Sequence, residues 1–297
     1  MSSISTLLVA HDFSETAALA LRQATALAKA NAARLVLAHV VELVPLGPYP
    51  AIKGGANDLA IKDIAEQRTN EIADAARAEG CEIEVRVQVG EPGPTLVEMA
   101  EAVEADLLVI GTRGLSGVKH VLLGSTAESV VRRAPMPVLT VHPEDALLEP
   151  PLETLVVPTD LSPAAEIAPQ TFAELFSVGP KPRIHLVYAD RTPPYLEPFK
   201  HSVLELTDQP DPIKEDLLEQ MAPSAKALEA EGFPVECHVI DGEAADAVPE
   251  FAEEISAQAI VLSTQGRSAV VNALLGRTAQ RIVQKAPCPT LTVRART

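Results

Sequence analysis

The 297-residue chain has no tryptophan, three tyrosines and six phenylalanines, so aromatic side chains make up only 3% of it. Few rings are left to stack bases or to line an aromatic pocket, and the core must be built from Ala, Val, Leu and Ile within a hydrophobic fraction of 47%. Positive charge is also scarce: 24 Lys and Arg stand against 41 Asp and Glu, a net charge of −17. Such a surface repels the phosphate backbone that a nucleic-acid binder must neutralise, which argues against general nucleic-acid binding. The three cysteines, Cys81, Cys237 and Cys288, are widely spaced, with no C-x-x-C and no accompanying histidine cluster. A disulfide framework and the usual zinc spacings are therefore not indicated, and reduced, structural thiols are expected. Nowhere do some ~18 apolar residues run together. The opening Met-Ser-Ser-Ile-Ser-Thr has no basic residue, and its apolar run Leu7–Ala10 stops at His11-Asp12. These features predict a cytoplasmic protein with neither an export signal nor a membrane span.

What the chain does contain is one unit written twice. Thr6-Leu-Leu-Val-Ala-His-Asp12-Phe-Ser14 is answered 148 residues later by Thr154-Leu-Val-Val-Pro-Thr-Asp160-Leu-Ser162. Gly114 and Gly124 return as Gly266 and Gly276, and Ala134-Pro-Met-Pro137 returns as Ala286-Pro-Cys-Pro289, now 152 residues on. The second copy thus carries a net insertion of four residues. We divide the chain into a first module over 1–143, a linker over 144–151 and a second module over 152–297.

Within each module short apolar runs alternate with longer Ala/Leu/Glu-rich stretches, the pattern of β-α-β units and a parallel sheet. Five strands per module are expected: Thr6–Ala10, Arg34–Val41, Glu82–Val89, Leu107–Gly111 and Val138–Val141, then Thr154–Thr159, Arg183–Tyr188, Val235–Ile240, Ala259–Ser263 and Thr290–Val293. The intervening helices fall near Ser14–Asn31, Leu59–Glu79, Thr95–Ala102 and Ser125–Arg133, with Ser14 and Thr95 as N-caps and Gly80 as a stop. Their counterparts are Pro163–Ser177, Pro212–Glu231, Ala244–Ser256 and Thr278–Lys285. Long proline-bearing connections, Glu42–Asn57 and Asp190–Gln209, follow the second strand of each module and suit a lid, a partner surface or a disordered segment.

The stretch richest in chemistry follows the fourth strand: Gly111-Thr-Arg113-Gly114, then Gly124-Ser125-Thr126 at the start of a helix. Glycines there let backbone amides approach a ligand or take positive φ, and the helix opening at Ser125 aims free N–H groups and its dipole at whatever binds. Ser125 and Thr126 add hydroxyls, while Arg113 and Lys119 supply positive charge. The physical expectation is an anion site, with nucleotide phosphates at the C-terminal edge of the sheet. From glycine spacing alone, a plain surface crossover is an equal reading, because neither a Walker nor a Rossmann glycine motif is present.

These residues resemble the universal stress proteins, whose nucleotide-binding members carry G-x2-G-x9-G-[S/T]. Gly111, Gly114, Gly124 and Ser125 fit that spacing without a gap. Asp12 after the first strand, His39-Val40 closing the second and Pro135-Met-Pro137 before the last strand extend the likeness over nearly the whole chain as two tandem modules. The resemblance implies an α/β fold: two tandem, five-stranded parallel-sheet sandwiches, Rossmann-like and akin to the adenine nucleotide alpha-hydrolases, related by a pseudo-two-fold axis and paired through their last strands. It further implies ATP as the ligand, with Mg2+ as companion. The loop amides of Gly114, Gly124 and Ser125 would hold triphosphate and ribose, and Asp12 with the backbone near Val40 would hold the adenine end. The second module departs from the pattern at Ser263, Arg277 and Ala189, and is expected to bind ATP weakly or not at all.

No nucleophile, carboxylate pair or metal-ligand cluster recurs between the modules, so no catalytic residue and no metal site is assigned. The leading expectation is an ATP-binding stress-response protein whose occupancy biases a loop or a module surface, with slow hydrolysis optional. The alternatives are an ATP-independent scaffold or carrier of a small apolar ligand, and an adenylating or nucleotidyl-transferring enzyme. A homodimer is a further expectation.

Overall fold

A computed structural model describes residues 4–42, 56–114, 123–148, 151–163, 165–176, 180–191, 211–264 and 275–294. Lys119, Gly266, and most of both long connections lie outside the described residues. The chain divides into two compact units, Met1–Pro150 and Pro151–Thr297.

In the first unit the order is β1 (Thr6–Ala10), α1 (Glu15–Asn31), β2 (Arg34–Val41), α2 (Ala56–Ala78), β3 (Ile83–Val89), α3 (Pro92–Ala102), β4 (Leu107–Gly111), α4 (Ser125–Arg133) and β5 (Val138–Val141). The strands run β3-β2-β1-β4-β5, and β1 lies parallel between β2 and β4, with Leu8 beside Val36 on one side and Leu108 on the other. Leu7, Leu8, Leu35, Leu37, Leu107 and Leu108 are fully buried. A central parallel strand has helices over both faces, so it reads as an unbroken apolar run rather than an alternation, and each such leucine contributes about 1.5–3 kcal/mol.

The second unit repeats the plan with β6 (Thr154–Pro158), α5 (Ile167–Leu175), β7 (Arg183–Asp190), α6 (Pro212–Ala230), β8 (Val235–Asp241), α7 (Ala244–Glu254), β9 (Ala259–Ser263), α8 (Arg277–Lys285) and β10 (Thr290–Val293), in sheet order β10-β9-β6-β7-β8.

Ser14 caps α1 as expected, its hydroxyl accepting from the Ala17 N–H at 3.1 Å, and Gly80 closes α2 at φ +83. Several helix starts differ from expectation: α2 opens at Ala56, three residues before Leu59, and α8 at Arg277, one before Thr278. Helix α3 opens at Pro92 with Glu91 at the cap, three residues before Thr95. Proline at the first helical position forfeits an N–H that would be unpaired anyway, and the buried Thr95 hydroxyl instead lies over Gly90, in the space a Cβ there would fill. Helix α5 opens only at Ile167, where the Glu166 side chain makes no cap hydrogen bond and its carboxylate accepts from the Ser224 hydroxyl.

The segment after β5 folds back onto the first unit. Gln23, buried in α1, clamps Leu148 by accepting from its N–H at 2.8 Å and donating to its carbonyl at 3.2 Å. None of the three cysteines forms a disulfide, and burial pushes the thiols of Cys81 and Cys237 above their ordinary pKa, which disfavours the thiolate. No helix among the described residues is long and apolar enough to cross a membrane.

Candidate functional site

The strand order reverses between β1 and β4: from β1 the chain steps outward to β2 and β3, and from β4 it steps the other way to β5. The loops leaving these two strands therefore diverge and open a crevice at the C-terminal edge of the sheet, where open α/β sheets bind ligands. His11–Ser14 leaves β1 into this crevice and Thr112–Gly114 leaves β4.

The first of these loops is a tight turn held by its own side chains. His11 Nδ1 accepts from the Phe13 N–H at 3.0 Å and Asp12 Oδ1 accepts from the Ser14 N–H at 3.1 Å. The turn holds Phe13 at φ +67, a conformation that costs a non-glycine residue of order 1 kcal/mol and is kept only where the surroundings enforce it. Enforcement comes from two further elements. The Phe13 ring lies 4.5 Å from the His39 ring of β2, and the Arg68 guanidinium of α2 lies 4.4 Å above it. His39 in turn donates from Nδ1 to the His11 carbonyl at 2.7 Å.

The glycines of the second loop serve close approach and not positive φ, which among the described glycines is confined to Gly80, Gly232 and Gly242. A Cβ on Gly111 would stand 2.9 Å from Thr16 Cγ2 and 3.2 Å from the Thr16 backbone, so this glycine seats α1 on β4. A Cβ on Gly114 would stand 2.5 Å from Asp12 Oδ2, and one on Gly124 would stand 3.1 Å from the Thr112 carbonyl. The expectation that Gly124 lends its amide to a ligand needs correcting: that N–H is already bonded to the Thr112 carbonyl at 2.8 Å, while Thr112 is tied to Val141 of β5. This bond pins the loop's return and sets the start of α4. The next three N–H groups, of Ser125, Thr126 and Ala127, have no partner among the described residues, and no side chain caps the helix. Unpartnered amides at a helix N-terminus are the kind of group that can hold an anion.

A cavity of about 510 Å³ fills the crevice, and Asp12, Val40, Gly111, Arg113, Gly114, Gly124, Ser125 and Thr126 all line it. Its volume lies within the range of small-molecule sites. Phe13, His39 and Arg68 line it as well, together with Ile61 and Ile64 of α2, which are 47% and 67% exposed. Sequence reasoning gave no role to these five, since their meeting depends on three elements converging. The same cavity is lined by His11, which is 6% exposed. Burial, opposed by Asp12 and assisted by His39 and Arg68, lowers its pKa to about 4. The imidazole is therefore neutral near pH 7. With Nδ1 accepting, its proton sits on Nε2, a buried donor with no partner among the described residues. An unpaired buried donor costs about 1–3 kcal/mol, which an acceptor on a ligand would recover.

The second unit keeps the frame. Thr159 Oγ1 accepts from the Leu161 N–H at 3.0 Å in place of the His11 imidazole, Asp160 Oδ1 accepts from the Ser162 N–H at 3.0 Å, and Leu161 sits at φ +60. Gly276 donates to the Thr264 carbonyl at 3.1 Å, as Gly124 does to Thr112. At the positions matching the first-unit site the side chains change: Ser263 for Gly111, Ala189 for Val40, and Arg277, exposed at the first position of α8, for Ser125. Elsewhere in this unit the fold gathers His185, Glu236 and His238, a potential metal-ligating set that the sequence reading did not assign. These residues are separated along the chain and meet only through the pairing of β7 with β8.

Comparison with known proteins agrees with this architecture. The universal stress protein family model matches twice, over residues 3–142 and 151–294. A universal stress protein of Mycolicibacterium smegmatis (strain ATCC 700084 / mc(2)155) is 28% identical over 303 residues, covering 98% of this chain and 97% of that protein. Among solved structures, a universal stress protein from Archaeoglobus fulgidus DSM 4304 has the same fold, with a TM-score of 0.68 at 20% identity over 97% of this chain and 96% of that one. A functionally unknown protein, PA1789 from Pseudomonas aeruginosa PAO1, gives a TM-score of 0.61 at 17% identity over 98% of this chain and 92% of its own. The chain belongs to the universal stress protein family, and it carries the family's module twice in tandem.

Proposed function

We propose that the first module binds an adenine nucleotide, ATP, in the cavity between β1 and β4, and that occupancy makes the protein a regulator in the stress response. One observation carries the reading. Residues nominated for their chemistry from separate stretches of sequence, Asp12, Val40, Gly111–Gly114 and Gly124–Thr126, line a single cavity that ends at the unpartnered amides of α4. In this reading the phosphates meet the N–H groups of Ser125, Thr126 and Ala127, the hydroxyls of Ser125 and Thr126, and the charge of Arg113. Asp12 and the Val40 main chain hold the nucleoside end, and Mg2+ enters as the counter-ion of the triphosphate.

Local amides suit this protein because they attract one bound anion without requiring a basic surface, and the surface is strongly acidic. The second module, with Arg277 at the head of α8, is read as released from nucleotide. The division into modules at 1–143 and 152–297, their pairing through Val138–Val141 and Thr290–Val293, a homodimer and a cytoplasmic location belong to the same proposal. Short β-branched strands of this kind call for a neighbouring edge.

Isothermal calorimetry of the full chain with ATP, with and without Mg2+, tests the assignment, alongside native mass spectrometry of the protein as purified. One nucleotide per chain is expected. A lipid-like retained mass with no ATP binding would favour a carrier of apolar ligands, and stoichiometric pyrophosphate release would favour an enzyme.

A further inference from the structure

On β7 and β8 of the second unit, His185 lies opposite Glu236 in the strand register, and His238, two residues beyond Glu236, shares its face of the sheet. Their side chains converge under Phe251 of α7, whose ring centroid is 6.1 Å from that of His185 and 4.9 Å from that of His238. His185 Nδ1 and His238 Nε2 are 2.9 Å apart, and Glu236 Oε2 lies 3.8 Å from the first and 3.9 Å from the second. Three atoms at those separations lie on a circle of radius about 2.1 Å. A zinc ion takes imidazole nitrogen and carboxylate oxygen at about 2.0–2.2 Å, so the donor atoms already stand close to metal-ligand spacing.

The first unit is an internal control. The strand alignment places Val36, Glu84 and Arg86 at the equivalent positions, and there Arg86 Nε simply pairs with Glu84 at 2.6 Å. The outer ion pair is common to both units: Arg34 reaches Glu84, and Arg183 reaches Glu236 through Oε1. The second unit differs by two histidines, one on each strand, placed to face the same carboxylate. Two neutral donors replacing a valine and a cation turn a surface ion pair into a convergent nitrogen–oxygen set.

We propose that His185, Glu236 and His238 form a binding site for a divalent transition metal ion of the zinc type, separate from the nucleotide cavity. Two nitrogens and one oxygen select a borderline ion over Mg2+ or Ca2+, which prefer all-oxygen shells. Three protein ligands leave a fourth position for water. Glu236 binds through Oε2 while Arg183 holds Oε1, the outer hydrogen bond that orients a ligating carboxylate. The His185–His238 contact is an N–H···N bond with one donor and one acceptor, so as the ion enters the donor ring gives up its bridging proton and takes one from solvent on its other ring nitrogen, and both imidazoles bind neutral with no net proton released. His185 is buried, but the side chains of Glu236 and His238 are 44% and 29% exposed, which gives the ion a way in.

The test uses the untagged full chain, stripped with chelator and titrated with Zn2+ against a chromophoric competitor, and separately with Co2+ followed by visible absorption. One ion per chain and the absorption bands of tetrahedral cobalt are expected. His185→Val and His238→Arg, which install the residues of the first unit, should each weaken Zn2+ binding by more than ~100-fold, beyond the effect of losing an outer-shell partner. Absence of Zn2+ binding by the wild type, or unchanged binding in these variants, overturns the site. Should a variant lose its folded circular dichroism signal, Glu236→Gln at a half-exposed side chain decides instead: weakened Zn2+ binding supports the site and undiminished binding overturns it.

Discussion

The carboxylate of Asp12 occupies the place where a side chain at position 114 would begin, with Oδ2 2.5 Å from an ideal Cβ on Gly114. The two residues belong to different loops, one leaving β1 and the other β4, and this contact draws the loops together over the cavity. Gly114 is thus a glycine for the sake of its neighbour's side chain, since its own backbone has no positive φ. Aspartate and glycine form one device, because a larger residue at 114 and a free carboxylate at 12 compete for the same space.

Gly114→Ala should therefore separate binding from stability. The atom displaced is the far end of a short side chain, so the fold adapts and the melting temperature should move by no more than about 2 °C, as for most surface-loop changes. The carboxylate must swing away, and ATP affinity should fall about tenfold, the equivalent of one lost hydrogen bond of about 1.4 kcal/mol. Thermal melts and calorimetry on the same preparation check both halves. Undiminished affinity would remove Asp12 from the nucleotide's contacts.

Most of this frame was legible in the residues, for identifiable reasons. The continuous apolar runs of Thr6–Ala10, Arg34–Val41 and Leu107–Gly111 match β1, β2 and β4 residue for residue, because a strand buried on both faces leaves no polar positions to blur its ends. Helix starts were harder, since a threonine and a proline can both signal an N-terminus, and at α3 the proline took the position. The packing of Phe13 against His39 and Arg68 was not legible. It depends on a positive φ at a phenylalanine, and nothing local in the sequence announces that. The His185–Glu236–His238 cluster was hidden for the same kind of reason, being written in strand register and not in spacing.

Gly124→Asp should abolish ATP binding without unfolding the module. Gly124 is the N-cap of α4 at φ −58 and ψ 148, a conformation open to any residue, and aspartate is among the best N-caps. Its carboxylate would accept from the free amides of the first turn and stabilise the helix by about 0.5–1 kcal/mol, partly offset by the 3.1 Å approach of its Cβ to the Thr112 carbonyl. The same carboxylate takes the phosphates' place and repels them. Calorimetry showing wild-type affinity in this variant would sink the phosphate assignment at α4.

Arg277→Ser should bring the second module toward nucleotide binding. Below the loop the two modules are built alike, with Gly276 bonded to Thr264 and Thr264 to Val293 just as Gly124 is bonded to Thr112 and Thr112 to Val141. Arg277 is exposed, and no ion pair holds it among the described residues, so its loss costs little stability. Removing it takes a guanidinium away from the free amides of α8. The stoichiometry measured by calorimetry should rise from one nucleotide per chain toward two. A value fixed at one would move the cause of the loss to Ser263 or Ala189.

The buried imidazole of His11 should make stability depend on pH in a predictable direction. Its folded pKa of about 4 lies below the ordinary value of 6.5, so between these values the unfolded chain binds a proton that the folded chain refuses. The folded state therefore has the full benefit of the neutral residue above about pH 6.5 and loses it as pH falls toward 4, by at most about 3 kcal/mol. Thr159 performs the backbone task of His11 in the second module, accepting from the residue two places on, so His11→Thr keeps the turn and removes the titration. Urea midpoints of the ligand-free proteins at pH 7.5 and 4.5 isolate the effect, because Asp12, His39 and Arg68 are common to both. The wild type should lose stability relative to the variant on acidification. A difference that stays flat across this interval would mean that His11 is hydrated and able to take up its proton in the folded protein.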